Sequence, residues 1–315
     1  FPVINTNWEE DGISHLMCQL MGGQMDIDSF ESCRLIDIEF PEEVLSYFKG
    51  PKFGIKGIRS YLNCKDKPLS GAIVKPKTGM SANVLLDMVK ELVDGGVDFI
   101  KEDEIMSNPS FCSIKDRVPL ISKFLNSYKR KIIYSVCINS DPQYVLERAK
   151  YIASEGLNSV HINFWSGLGV YNAIRKLDLP IYIHFQKSGD KVITDKRHAF
   201  GIDWNVICHL AAISGVDTIH AGMWGGYLSD DEKDLRDNLK TLTSNNVMPA
   251  LSCGMHPGLV QAIIKKFGND FIANVGGAIH GHPMGTLAGA KAMRQSIDKS
   301  HGDEYKVAIK TWGLV

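Results

Sequence analysis

No run of about 18 or more uninterrupted apolar residues occurs in this 315-residue chain, so it has no segment of the length a membrane-crossing helix needs. No basic stretch followed by an apolar one opens it. Net charge is small as well: 35 Lys and Arg stand against 36 Asp and Glu, a formal −1. That balance gives no basic footprint for nucleic acid, and no block of like charge forms a tail. C-x-x-C pairs are missing. The seven cysteines (Cys18, Cys33, Cys64, Cys112, Cys137, Cys208 and Cys253) are scattered and odd in number, which argues for reduced, mostly buried thiols and against a disulfide framework. These absences point to a cytoplasmic protein with no nucleic-acid or membrane partner. The chain opens on Phe1-Pro2-Val3 and lacks an initial Met, so a preceding segment carrying further functional residues is expected.

What is present is an ordinary globular composition, 44% hydrophobic and 23% charged, long enough for a large core. From about residue 70, eight short β-rich runs alternate with helix-like stretches: 72–75, 98–101, 132–136, 159–163, 181–185, 217–220, 249–252 and 271–275. Between them, Ala82 to Asp94 repeats Leu85, Leu86, Val89, Leu92 and Val93 at helical spacing, and 141–155, 231–244 and 259–267 behave likewise. Eight β-α units over this length predict an α/β fold, a (β/α)8 TIM barrel spanning 50–315, in preference to an open sheet. Residues 1–49 read differently. They hold an acidic, helical start at Asn7 to Gly12, a Met-rich segment with Gly22-Gly23, and a strand-like Cys33 to Phe40 before Pro41 and Gly50-Pro51. This is the pattern of a smaller, partly missing α+β (ferredoxin-like) domain, with Trp8, Met17, Met21 and Met25 as its core.

Lys75, Lys77, Lys101, Asp103, Asn163, His184, His220, Ser252, Gly276 and Gly277 all fall at or just after the C-terminal ends of the expected strands, where barrel enzymes build their sites. The most telling stretch is Gly95 to Glu104. Side chains alternate along a strand, so Lys101 and Asp103 share a face, with Glu104 following. An ammonium between two acids is a poor Mg²⁺ site, since that hard cation takes oxygen ligands. A carbamate formed from CO2 and the neutral amine would turn the trio into three anionic donors, moving its formal charge from about −1 to about −3. A strand-end ion pair of purely structural value would show the same residues. Lys75-Pro76-Lys77 places two like charges together, which favours a neutral lysine able to act as a base in a partly dry pocket. Ser252-Cys253-Gly254 and Gly276-Gly277 end adjacent strands, where backbone N–H groups commonly cradle phosphate.

At this point a family resemblance appears. Gly71-Ala72-Ile73-Val74-Lys75-Pro76-Lys77, the Gly96 to Glu104 segment, Ile219-His220-Ala221-Gly222 and Gly276 to Pro283 occur in the order seen in the large subunit of ribulose-bisphosphate carboxylase (RuBisCO). The resemblance extends from about Leu35 to the C-terminus. It implies that Lys101, as its carbamate, binds Mg²⁺ with Asp103 and Glu104, and that the substrate is a phosphorylated keto compound enolised at the metal. It further implies that Lys75 is the acid or base, that Lys77 positions the enolate, and that His184 and His220 are active-site histidines, near the reacting centre and a distal phosphate. Ser252, Gly254, Gly276 and Gly277 match the proximal phosphate site. A homodimer, or a multiple of dimers, is implied too.

The departures are specific. Phe185 follows His184 where carboxylases carry a phosphate-gripping arginine, and the loop Gly222 to Leu228 lacks the lysine that stabilises the carboxylated intermediate. The stretch Leu20 to Gln24 offers glycine where an asparagine is expected, and Cys137 lies near another asparagine position. The chain therefore resembles the RuBisCO-like (form IV) branch, which keeps enolisation and has lost CO2 fixation. Gly50 to Ile55, Gly57-Ile58-Arg59, Met255 to Gly258 and His280 to Pro283 resemble the diketo-methylthiopentyl-phosphate enolases of methionine salvage, although the lysine base of those enzymes would align near Gly23. Decarboxylation of a 3-oxo sugar acid phosphate, isomerisation or enolisation of a keto sugar phosphate, and ligand binding without turnover are the readings left open. Lys187 is a candidate substitute for the missing arginine, and His161 is either a satisfied core histidine or a catalytic one.

Overall fold

The computed structural model describes residues 2–23 and 25–315. Gln24, in the stretch where an asparagine was expected, and Phe1 lie outside the described residues. Eight parallel strands close into a barrel in the order β10-β2-β3-β4-β5-β6-β8-β9. They are β2 (Leu69–Ile73), β3 (Phe99–Lys101), β4 (Ile133–Cys137), β5 (Ser159–Asn163), β6 (Tyr182–Gln186), β8 (Thr218–Gly222), β9 (Met248–Leu251) and β10 (Ile272–Val275). Each overlaps one of the eight expected runs, although β2 begins three residues early and shares only Ala72 and Ile73 with its run. Outside them run α4 (Ala82–Asp94), α5 (Ile114–Ser127), α6 (Pro142–Ser154), α7 (Gly169–Lys176), α9 (Trp204–Ile213), α10 (Glu232–Ser244), α11 (Val260–Phe267) and α13 (Thr286–Ile297). The helical spacing read in α4 has its expected result: Leu85, Val89, Leu92 and Val93 are buried against the sheet, and each such side chain contributes about 1.5–3 kcal/mol.

The barrel floor is closed by α3 (Gly54–Leu62). Ile58 from that helix packs with Leu69, Phe99, Ile133, Tyr182, Met248, Ala250 and Ile272 in a separate apolar cluster. Asp217 caps the entry to this plug, its Oδ1 accepting the backbone N–H groups of Phe53 and Gly54 at 2.8 and 2.9 Å. Asp217 is fully buried and paired to Arg175 at 2.6 Å.

In the N-terminal part, α1 (Gly12–Met21) begins where the acidic turn Asn7 to Asp11 ends, later than the sequence suggested. The strand expected over 33–40 is only three residues long, β1 (Cys33–Leu35), because its partner is equally short. It pairs in parallel with β7 (Phe200–Ile202), a strand inserted between β6 and β8. Arg34 reinforces the join, binding Asp203 Oδ1 at 3.0 Å and the carbonyls of Thr194 and Asp195. Two short helices, α2 (Glu42–Leu45) and α8 (Lys191–Thr194), lie beside these connections, while α12 (Gly277–His280) and α14 (Asp303–Trp312) lie near the barrel mouth. Trp8 is buried in the main core, with Met17 and Met21 packed against it. All seven cysteines are free, and only Cys112, Cys137 and Cys208 are buried, fewer than expected. No described helix is long and apolar enough to cross a membrane.

Candidate functional site

Period-two alternation sorts each strand into layers along the barrel axis. On β3, Phe99 belongs to the floor, Lys101 lies one layer up, and Asp103 follows one step further toward the mouth. Lys101 and Asp103 are both fully buried. Lys101 Nζ donates to the Glu102 carbonyl at 3.0 Å and lies 3.4 Å from Glu104 Oε2. Lys75 Nζ, from just beyond β2, is 2.5 Å from Asp103 Oδ2. Burial pushes the Lys101 pKa down against the pull of Glu104, Cys137 and Asp103. For Glu104, burial opposes ionisation, but the Lys101 charge and its own backbone N–H outweigh it and lower the carboxyl to about 2.

Glu102, between these groups, points outward and anchors the strand end. Its carboxylate accepts from Arg117 Nε and Nη2, both at 2.8 Å, from the Tyr134 hydroxyl at 2.9 Å, and from the Cys137 N–H at 2.8 Å. Arg117 also donates to the carbonyls of Cys112 and Ser107. Glu102 and Arg117 are wholly buried, so removing either partner would strand a charge at a cost of about 3–5 kcal/mol. Asn139 adds a tie from the next loop, its amide donating to the Glu104 carbonyl at 2.6 Å.

Above β2, β6, β8, β9 and β10 opens a cavity of about 1110 Å³. Lys75, Lys77, Glu104, His220, Ser252, Gly254, Gly276 and Gly277 all line it. One of these glycines is required sterically, and a second sits close to a lysine stem. A Cβ on Gly254, whose φ is +107°, would collide with the backbone of Tyr227 and Gly226, and one on Gly276 would press on Lys75 Cε at 3.1 Å. Gly277 has nothing within 4 Å of its Cβ position, which leaves its backbone open to the cavity.

Lys101 and Asp103 are not among the lining residues, and neither is His184. His184 is buried one layer down, its Nδ1 sharing a 2.6 Å hydrogen bond with the Thr218 hydroxyl, and its ring stands edge-on to His220 with centroids 4.7 Å apart. Burial holds His161 and His184 well below the ordinary imidazole pKa and takes His220 to about 3. The row is therefore neutral at physiological pH. The Asn274 amide donates to His220 Nε2 at 2.8 Å. His161 is buried but not satisfied, since neither ring nitrogen has a partner.

Sequence reasoning missed the Glu102 anchor, whose partner Arg117 comes from α5. It missed Asn274 too, although that residue is two positions before Gly276 on one strand face. Tyr227, Asp230, Cys253 and Trp312 also line the cavity. Phe185 is buried and stacks on Tyr171 at 4.4 Å, so no guanidinium follows His184. The cavity's lysines are Lys75, Lys77, Lys187 and Lys191, and none belongs to the loop 222–231.

A family model described as "Ribulose bisphosphate carboxylase large chain, catalytic domain" matches residues 54–311. The chain belongs to the RuBisCO large-chain family. It is 31% identical to the ribulose bisphosphate carboxylase of Pyrococcus furiosus, over 98% of this chain and 79% of that one. Among solved structures of the family, the octameric Rubisco of Pyrococcus horikoshii superposes with a TM-score of 0.91 at 28% identity, covering 99% of this chain and 78% of that one. A rubisco-like protein (MtnW) from Alicyclobacillus acidocaldarius gives a TM-score of 0.88 at 26% identity, covering 99% and 82%. Carboxylases and rubisco-like members of the family are thus both structural relatives, and the residues of the site must separate them.

Proposed function

We propose that this chain generates an enolate from a phosphorylated keto sugar or 3-oxo sugar acid, acting as a decarboxylase or as an isomerase or enolase, and does not fix CO2. The observation that carries this reading is the cluster of Lys75, Lys101, Asp103 and Glu104 at the ends of two adjacent strands. Among the described residues, no three His, Cys, Asp or Glu side chains come close enough to hold a metal ion by themselves. Asp103 and Glu104 offer two carboxylates, and Lys101 as its CO2 carbamate would supply a third anionic ligand. The four groups then pass from formal neutrality to about −2, taking ordinary charge states, which balances a divalent cation.

Mg²⁺ held by Asp103, Glu104 and the carbamate of Lys101 would polarise the substrate carbonyl and acidify the adjacent carbon. The remaining work falls to the chain's own side chains. Ser252 and the backbone of Gly254, Gly276 and Gly277 would seat the phosphate. Lys77 would orient the oxygen bearing the developing charge. Lys75, in contact with Asp103, would give a proton to carbon after CO2 has left and the bonding electrons remain on the substrate. In an isomerisation, Lys75 as the amine would instead remove that proton first. His184 would act through its contact with His220, because it does not reach the cavity.

Phe185 and the lysine-free loop 222–231 argue against carboxylation. The second reading, a diketo-methylthiopentyl-phosphate enolase, draws on the likeness to MtnW, but glycine stands where that enzyme's lysine base would align. We further read residues 1–49 as the remainder of an N-terminal domain and the working unit as a homodimer, checked by light scattering. The deciding experiment is proton NMR in D2O with Mg²⁺ and bicarbonate on keto sugar phosphates and 3-oxo sugar acid phosphates. CO2 release requiring Lys101 supports the decarboxylase, and deuterium uptake alone supports the isomerase or enolase. Inactivity across the panel returns weight to a non-catalytic binding protein.

A further inference from the structure

The loops after β6 and β8 carry an arrangement that the proposed chemistry does not use. Lys187, one residue past β6, sends its ammonium between two carboxylates, with Nζ 3.5 Å from Asp190 Oδ2 and 3.6 Å from Asp230 Oδ1. It also lies over the Trp204 ring, 4.9 Å from the centroid. Its side chain is only 14% exposed. Each carboxylate is itself fixed. Asp190 Oδ2 accepts the Thr194 hydroxyl at 2.9 Å, and Asp230 Oδ2 accepts the Met223 N–H at 2.8 Å while the Asp230 N–H donates back to the Met223 carbonyl at 2.9 Å. A Cβ on Gly222 would collide with Asp230, so the glycine is what lets the loop close on its aspartate.

Lys187, Asp190 and Asp230 line the main cavity, and the same three line a second cavity of about 640 Å³ beyond it. The ion pairs therefore stand at the end of the site away from the Ser252 and Gly276-Gly277 cradle, on the opposite flank of β8. Lys187 cannot grip a phosphate there without giving up two carboxylates and an aromatic face. The trio carries a formal −1, so a second phosphate would meet net repulsion. Carboxylate oxygens readily accept hydroxyl protons.

We propose that Lys187, Asp190 and Asp230 form an ionic latch that selects a substrate with one phosphate and an uncharged, hydroxyl-bearing far end, and turns away a bisphosphate. The proposal rests on the phosphorylated-substrate reading above. Lys191 is a competing ligand: it faces both cavities, and no ion pair joins it to a carboxylate among the described residues.

The test is equilibrium binding of ribulose 1-phosphate and ribulose 1,5-bisphosphate, followed by tryptophan fluorescence. The unaltered protein should bind the monophosphate at least about tenfold more tightly. The Asp190→Asn/Asp230→Asn variant, whose amide carbonyls keep the Thr194 and Met223 hydrogen bonds, should move that ratio about tenfold or more toward the bisphosphate. Lys187→Met, which leaves both carboxylates, should move it the other way, and Lys191→Ala should preserve the order. Equal or tighter bisphosphate binding by the unaltered protein, or a ratio that neither latch variant moves, would overturn the latch. The expected monophosphate preference, shifted by the latch variants but with no proton exchange on any substrate, would sink the enolate reading alone, whereas no affinity for either sugar would remove both.

Discussion

Phe99 and Lys101 lie two residues apart on β3 and both face the barrel axis, yet they serve opposite ends of the molecule. Around Phe99 the floor is apolar and sealed by Ile58 of α3. Around Lys101 the next layer holds Ser135, His161, His184, His220 and Asn274, all buried, and above it the mouth opens into the cavity. The same eight strands thus supply packing at one end and the proposed site at the other, and a step of two residues crosses between them. Stability and activity should separate along that step.

The largest effect that sharpens the contrast is expected from Lys101→Ala. It removes the amine proposed to take CO2 and leaves Glu104 without the Lys101 charge, so proton exchange or CO2 release should fall by about 10³-fold or more. Mg²⁺ affinity, read by calorimetry, should fall with it. Thermal stability should hold, because a buried amine leaves the core. Phe99→Ala should do the reverse, costing about 3–5 kcal/mol in denaturant melts while activity at low temperature stays within about tenfold. A Phe99→Ala protein as inactive as Lys101→Ala would show that floor and mouth are not separable.

Arg117→Met tests the seam between the two ends. The Glu102 carboxylate would lose two of its four hydrogen bonds and keep its charge in a dry place, a loss of about 3–5 kcal/mol. The double variant Arg117→Met/Glu102→Leu should recover much of it, since replacing both partners of a buried pair is often near neutral. Failure to recover would mean that the anchor, and not the stranded charge, sets the stability.

How much of this was legible beforehand follows from range. Each barrel strand announces itself by a local apolar run, and the ordered strand-end residues Lys75, Lys101, Asp103, Glu104, Ser252, Gly254 and Gly276 come together because eight parallel strands must all end at one mouth. What escaped depends on pairs distant in sequence or on short elements. β1 and β7 are three residues each and find one another across more than 160 positions. Lys187 looks like a spare phosphate ligand until Asp190 and Asp230 are seen beside it. His184 sits at a strand end in sequence, but its layer puts it under the cavity floor.

Acidification probes the buried polar layer. His161, His184 and His220 have native pKa values depressed below the unfolded value of ~6.5, so the unfolded chain binds protons that the native one refuses. Stability should be complete above pH ~6.5 and fall as the pH drops below it, by up to ~1.4 kcal/mol per pH unit per histidine, with the His220 share continuing to its native value of about 3. Glu104 adds to the loss at lower pH, because its contribution is present above its unfolded value and disappears as the pH falls toward about 2. Urea melts from pH 7.5 to 4.5 would measure the slope, and His161→Phe should make it shallower by one histidine's share. An unchanged slope would mean that His161 takes up its proton in the native state.

The smallest effect is expected at the proposed phosphate cradle. Ser252 is 7% exposed and lines the cavity, and among the described residues its hydroxyl makes only a long contact, 3.7 Å, to Cys253 Sγ. Ser252→Ala therefore strands no donor in the native protein and should leave the melting temperature unchanged. It should weaken binding of inorganic phosphate by about 3- to 10-fold, the worth of one hydrogen bond of roughly 0.5–1.5 kcal/mol. Gly277→Ala makes a companion test, since its Cβ would project into open space and meet only the ligand. Phosphate affinity lost in Gly277→Ala but kept in Ser252→Ala would assign the cradle to the backbone of the loop after β10. The reverse would place the anion against β9 and its side chain.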